Sequence, residues 1–508
     1  MTYMKRIKVI GLALIAIGLA SCTNSRKAGY YITDFGAVGD SVTLCTDAIN
    51  KAIATCSAKG GGRVVVPTGK FKSGTIQMKS NVELHLEAGA TLTASTNHAD
   101  FPRQAQPAYR SQKDPGGWFA LIYAENESNI AITGQGTIDG NGHLQKPHPV
   151  EGAGDNEGDK DARPRNILFI SCSHIRIEGI KMRNSGIWNQ HYLDCEDVFI
   201  DRVEVYNHSN RNNDALDFDG CRRAILSNSI FDTDDDGITL KSTGKAACED
   251  IVITNCIISS FSNAIKAGTE STGGFRNITI SNCVIRPSRL PSMITTDTYL
   301  KGITGISLEI VDGGIMEGVS VDNVVIEETE APLYIRLGNR ARKHTDSAPA
   351  PPMGQMRNIR ISNVTAYNTG NFSSSISSIP GSYIENVMLD NIQLFNTGGL
   401  AAGDYIASHT EVVEDEKGYP QPTVWKNLPS SVLFIRHVKN ISVSNLIFGS
   451  KNPDPRIPVI ASDVKNLRIK NSTFSGHSTA AGFALLDRVE GHDIEKPSGW
   501  NKAILIQK

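Results

Sequence analysis

Two segments of the chain concentrate its chemistry: NHSNRNNDALDFDG, Asn207 to Gly220, and FDTDDDGITLKS, Phe231 to Ser242. Asp214 and Asp235 are 21 residues apart, and Asp235 and Asp236 are adjacent. Neighbours on a regular strand point to opposite faces, so a turn or bulge at Asp234 to Gly237 is needed to aim two carboxylates outward together. Three such carboxylates suit acid/base cleavage of a glycosidic bond. One stays protonated to serve the leaving oxygen, another is ionised to activate water, and like-charge repulsion separates their pKa values. Two plainer readings compete: a calcium site at the DDDG turn, or solvated turn carboxylates. His191 and His208 flank the acidic segments and are site candidates, whereas His85, His98 and His174 read as surface or turn residues.

What positions these groups is a repeat. A phrase of charged residue or Asn, apolar, any, apolar, Ser/Thr/Asp, Asn recurs with first apolar positions at Ile175, Val198, Ala224, Ile251, Ile278, Val319, Ile359, Val387, Ile441 and Leu467. Most intervals are 23 to 28 residues; two near 40 read as one step plus an insertion, and one of 54 as two steps. Each phrase alternates apolar and polar residues, as a strand with one buried side does. So short a strand buries that side only by stacking on its neighbours, which predicts a solenoid. Ten residues before successive phrases stand Trp188, Asp214, Lys241 and Gly268. The simplest stacking therefore places Lys241 beside Asp214, with Trp188 on the other side as an aromatic platform for a sugar ring.

Four residues into the phrase, Asn228, Asn255, Asn282, Asn323, Asn363, Asn391, Asn445 and Asn471 share one phase and predict a structural ladder at a left-handed corner. Cys172, Cys195, Cys221 and Cys248 form one column, and Cys256 and Cys283 another, which reads as packed thiols, leaving one bridge to consider between Cys45 and Cys56. TDAINKAIATC predicts a helix capped by Thr46 or Asp47 within an N-terminal cap over about residues 30–70, covering the open end of the solenoid. Gly142 to Arg165, Ala341 to Met356 and Gly398 to Ser431 read as loop insertions lining a groove.

The N-terminus is an address. Lys5, Arg6 and Lys8 precede an apolar run, Val9 to Ala20, too short to span a bilayer. Its end, Leu19-Ala20-Ser21-Cys22, resembles the bacterial lipoprotein cleavage box, with Cys22 as the lipidated residue. Residues 1–22 are thus a predicted leader and 23–508 a single domain, held at the cell envelope by lipid, with no later transmembrane helix. Across 508 residues, 51 Lys and Arg face 53 Asp and Glu, a net charge of −2. That balance argues against nucleic-acid binding, and 40% hydrophobic content argues against a disordered acidic chain.

From Tyr31 to the end of the repeats the chain resembles the family 28 glycoside hydrolases, the polygalacturonase and rhamnogalacturonan hydrolase family. The likeness lies in DFGAVGD, GGGRVVVPTGKF, LHLEAGATL and GQGTIDGNG, and most strongly in NNDALD and DDDGITLK, similar to the family's NTDGID and GDDCIALK. It implies an all-β right-handed parallel β-helix, Asp214, Asp235 and Asp236 as catalytic carboxylates, inversion, and no metal or cofactor. In the usual family account, one member of the DD pair is the acid and the other carboxylates hold the attacking water.

Two family motifs depart. Ser262 stands where the family has the His of GHG, and Ser307 and Glu309 stand where it has the Arg and Lys of RIK. A Glu at that subsite would repel a galacturonate. The expected substrate is therefore a pectic glycan such as rhamnogalacturonan rather than plain polygalacturonan, handled by a monomer. Lys241, Lys266, Arg336 and Arg340 are candidate uronate ligands, with Glu270 nearby, although Arg336 and Arg340 equally fit a strand end with solvated charges. A calcium-dependent lyase and an inactive glycan-binding protein are the alternatives.

Overall fold

The computed structural model describes residues 29–104, 119–146, 163–288, 301–344 and 347–507. Residues 1–22 with Cys22, and 147–162 of the insertion at 142–165, lie outside these. The chain winds into a right-handed parallel β-helix. One coil is Gln190–Leu193, Glu196–Asp201 and Glu204–Asn207, and the next is Leu216–Asp219, Arg222–Ser227 and Ile230–Thr233. Each strand pairs in parallel with its counterpart one coil on.

The phrase sets the register. All ten first apolar positions are successive partners, from Ile175 against Val198 to Ile441 against Leu467. The 54-residue interval departs from expectation, because Val387 pairs directly with Ile441. It is one coil carrying the Gly398 to Ser431 insertion, not two. The alternation follows burial: Ile175 and Ile177 are in the core while Arg176 between them is exposed.

The Asn column forms as anticipated. Its eight residues have φ between 50° and 57°, and side-chain amides bridge coils from Asn255 to Asn228 (3.1 Å), Asn323 to Asn282 (2.8 Å) and Asn391 to Asn363 (2.7 Å). A second ladder, not anticipated, runs through Asn358, Asn386, Asn440 and Asn466 just before the phrase.

The thiol columns are buried and free. Sγ of Cys195 and Cys221 donate to the carbonyls of Phe169 and Tyr192 in the preceding coil, at 3.4 and 3.1 Å. Cys45 and Cys56 are also free, so the bridge considered for them is absent. They lie at the start and near the end of one helix, and eleven residues of helix span roughly 16 Å, beyond disulfide reach. That helix, Thr46–Ala58, buries Ile49, Ala52, Ile53 and Cys56 against the first coils. Its N-cap is Cys45 rather than Thr46 or Asp47, because Thr46 Oγ1 instead accepts from the Gly74 amide at 2.7 Å.

Asn391→Ala removes a ladder bond and places an ordinary residue in the left-handed region. Each effect is worth about 1–2 kcal/mol. Urea unfolding should show a loss of about 2 kcal/mol or more, and an unchanged midpoint would show that the ladder does not stabilise the fold.

Candidate active site

One sheet of the helix carries the site. Its strands Gln190–Leu193, Leu216–Asp219, Ile238–Ser242, Asn263–Ser271, Gly302–Ile310 and Thr329–Leu337 stack in parallel. Their register aligns His191, Asp217, Thr239, Lys266, Ser307 and Tyr334 in a single file. In place of the apolar face that a repeat would continue, these coils bury a row of polar groups.

Asp214 precedes Leu216–Asp219, and the Ala215 amide donates to the Asp236 carbonyl at 3.0 Å, bringing Asp214 against the next coil's acidic turn. The bend from Asp234 to Gly237 separates Ile230–Thr233 from Ile238–Ser242. The turn leaves no room for a larger residue at its end: a Cβ on Gly237 would lie 2.5 Å from both the Ala264 carbonyl oxygen and Ile258 Cγ2. The bend aims both carboxyls the same way, so Asp214, Asp235 and Asp236 each present an oxygen within 4.8 Å of the others.

Asp236 is the most heavily hydrogen-bonded of the three. Its Oδ2 accepts from Lys266 Nζ at 3.0 Å, and its Oδ1 from Ser262 Oγ (2.9 Å), the Asn263 amide (3.1 Å) and Asn263 Nδ2 (2.7 Å). Ser262, standing in the place of the family's His, thus still serves the acidic turn. Burial pushes Asp236 up, but Lys266, Lys241 and the Asn263 bond outweigh it and hold the carboxyl below its usual range. Asp235, half-buried, is pushed up to about 6 by burial and by the charge on Asp236. Burial, with Asp217 and Asp235, holds Asp214 well above the ordinary value. One compact cluster therefore contains a carboxyl held toward the ionised form and two pushed toward the protonated one. A calcium ion here would have to compete with Lys266, whose ammonium already sits on Asp236.

Several predicted contacts differ. Lys241 pairs in register with Asp219, not Asp214. Counting back from the phrase fails because the turn from Lys241 to Glu249 is five residues longer than its counterpart from Asp219 to Arg222. Lys241 Nζ lies 3.5 Å from Asp217 and 3.7 Å from Glu270. Trp188 is not an open sugar platform. It is buried, with Lys241 4.5 Å and Arg165 4.9 Å from its ring and His191 edge-on at 5.0 Å. His191 is fully buried against Asp219, out of a ligand's reach. Arg336 is also buried and donates to the carbonyls of Ser378, Glu414 and Asp415, pinning the Gly398 to Ser431 insertion rather than facing substrate.

Arg340 binds Asp312 and Thr269, and Arg342, missed in the sequence, bridges Glu270 and Asp312. Burial pushes Glu270 up, but Lys241 and Arg342 bring it well below its usual range. Glu309 is not the groove anion expected: it is buried, accepts the Ser307 hydroxyl at 2.5 Å, and is pushed up to about 7 by burial against the pull of Lys266. The exposed aromatic surface comes from Tyr419 in the insertion. Its hydroxyl meets Lys266 Nζ at 3.0 Å and its ring lies 5.9 Å from the Arg340 guanidinium. Because Tyr419 stands 153 positions beyond Lys266, no spacing signal could have found it. Asp217, aligned with Lys266, was also missed, although it stands in NNDALD; burial pushes it up to about 8 despite Lys241.

The profile of glycosyl hydrolases family 28 matches residues 56–398. The chain belongs to this family. The match contains all three clustered aspartates and ends before Tyr419. Over 247 residues, 41% of each chain, the protein is 30% identical to an exo-poly-alpha-D-galacturonosidase of Dickeya chrysanthemi. Over 232 residues, 44% of this chain and 46% of the relative, it is 29% identical to a probable polygalacturonase of Vitis vinifera. The chain thus matches less than half the length of these curated relatives. Among solved structures, a hyperthermoactive exopolygalacturonase from Thermotoga maritima aligns over 73% of this chain and 87% of its own, with TM-score 0.61 and 24% identity. A family 28 exopolygalacturonase from Yersinia enterocolitica aligns over 92% and 78%, with TM-score 0.60 and 19% identity. Both structures share the fold described above.

Lys266→Met leaves Asp236 buried without its nearest cation, a change that costs about 3–5 kcal/mol. Because pairing depresses the Asp236 pKa, the stabilisation is complete at neutral pH and fades as acid protonates the carboxyl. Urea unfolding across pH should show the variant's deficit shrinking toward acid; a pH-independent deficit would point to lost packing instead.

Proposed function

We propose that the protein is a glycoside hydrolase that cleaves a pectic polysaccharide by acid/base hydrolysis with inversion. The observation that carries this reading is the cluster of three carboxyls within 4.8 Å, in which Lys266, Ser262 and Asn263 hydrogen-bond Asp236 and favour its ionised form, while burial and the charge on Asp236 push Asp235 up to about 6. Asp235 gives its proton to the glycosidic oxygen as the bond to the anomeric carbon breaks. Asp236 takes a proton from the water whose oxygen attacks that carbon from the opposite face. Two hydrogen bonds of about 2.7 Å span about 5 Å, so one water fits between Asp214 and Asp236. The cluster is tighter than the ~6.5–9.5 Å usual between the acid and base of inverting enzymes, and the inverting outcome is taken from the resemblance to family 28.

The substrate reading rests on the cations. Lys241, Lys266, Arg340 and Arg342 all have acidic partners. A uronate carboxylate binding them would have to displace a native partner. This favours a neutral sugar beside the cleaved bond, as in rhamnogalacturonan, where rhamnose alternates with galacturonate; the galacturonan-cleaving names of the relatives support the pectic class. The leader with Cys22 supports a lipid-anchored protein at the cell envelope.

Product chromatography on defined rhamnogalacturonan and polygalacturonan fragments tests the assignment. New saturated reducing ends are expected from rhamnogalacturonan, with or without EDTA. An unsaturated, ultraviolet-absorbing product would indicate a lyase, and no product from either glycan would sink the reading. Asp235→Asn and Asp236→Asn should each lower kcat at least ~10²-fold while remaining folded.

The pH profile follows from the same groups. Asp235 must carry its proton, so the rate falls as pH rises past about 6. Asp236 must be ionised, so the rate also falls in strong acid. A rate that kept rising to pH 8 would exclude Asp235 as the acid.

A further inference from the structure

The catalytic turn is held from behind by a residue with no part in the steps above. His208 follows the strand Glu204–Asn207 and is 1% exposed. Its Nε2 lies 2.8 Å from Asp232 Oδ1 and its Nδ1 2.9 Å from Asp234 Oδ1. Two carboxylates at the two ring nitrogens require both nitrogens to donate, so the ring carries a charge. Asp232 lies in the strand Ile230–Thr233, and Asp234 opens the bend that presents Asp235 and Asp236. The Asp234 amide also donates to the Asn207 carbonyl at 3.1 Å, tying the bend to the same preceding coil. Asp234 is nearly buried and its Oδ2 has no hydrogen-bond partner among the described residues, which leaves His208 to balance its charge.

We propose that His208 is a positioning residue of the active site, a cationic clamp that fixes the Asp234 to Gly237 bend and so the aim of Asp235 and Asp236. The proposal rests on the hydrolase reading for its catalytic consequence. Tyr206 (4.7 Å) and Phe261 (6.0 Å, edge-on) enclose the ring, and Arg183, the cation facing Tyr206, is held by Glu204 at 3.0 Å. Burial alone would lower the His208 pKa, but Asp232 and Asp234 outweigh it and bring it up to about 9. The clamp is therefore closed throughout the range where Asp235 works and opens only as pH rises through about 9.

The test uses the whole protein with ¹³C-labelled histidine, alongside His208→Gln and the milder Asp232→Asn. In the wild type, the His208 resonance, identified by its absence from His208→Gln, should titrate well above the ordinary value of about 6.5 and shift down in Asp232→Asn. In His208→Gln, kcat should fall about tenfold with KM within twofold. The alkaline limb of the kcat profile should also move to higher pH, because the uncompensated charges of Asp232 and Asp234 favour the protonated Asp235. A histidine with only a packing role would lower the fraction folded and leave that limb in place. Titration near the ordinary value, or a His208→Gln enzyme with unchanged kcat and limb, overturns the proposal. If the wild type cleaves none of the glycans, the hydrolase reading fails, while the histidine titration still decides whether the clamp exists.

Discussion

No strand of this chain buries its apolar side alone, so every coil depends on in-register stacking against the next. Parallel strands about 4.8 Å apart bring residues of the same phase into columns. Everything else inherits that constraint: the Ile and Val core, the thiol column whose sulfurs reach the preceding coil's carbonyls, and the Asn ladders at the left-handed corners. Where a column keeps its residue type, a favourable contact made once is made again in the next coil.

The same constraint allows a site to be built at modest structural cost. Where the columns continue unchanged, the sheet is a plain solenoid wall. In the coils from His191 to Glu309, the outward file instead carries Asp217, Lys266 and Ser307, and the turns bring in Asp214, Asp235 and Asp236. Burying so many ionisable groups is unfavourable unless their charges are matched. Here the match is close: Lys266 with Asp236, Lys241 between Asp217 and Glu270, Arg340 and Arg342 on Asp312, and His208 between Asp232 and Asp234. Asp214 and Asp235, for which no ion pair is formed within the cluster, are among the groups that burial drives toward the neutral form.

The departures from the family's motifs are also exchanges between coils. Ser262 and Asn263 hold Asp236 where the family has a His, and Lys266, one coil before the altered RIK segment, places its ammonium next to Ser307 and the buried Glu309. Read along the chain, Glu309 looks like an inserted repulsive charge. Read across coils, it is a buried neighbour of a lysine.

How much of this was legible depended on whether a feature belongs to the repeat. The phrase, its ten register partners, the Asn and Cys columns and the clustering of Asp214 with Asp235 and Asp236 were readable from residue type and spacing, because a periodic column must recur in sequence at its own period. What escaped were features set by turn length or by remote insertions: the slip that pairs Lys241 with Asp219, the burial of Trp188, His191 and Arg336, and the arrival of Tyr419 beside Lys266. The sequence by itself determined the solenoid and the carboxylates. Only the tertiary structure decided which side chains face the groove and which carboxyl keeps its proton, because burial and charge pairing depend on neighbours whose distance along the chain no period records.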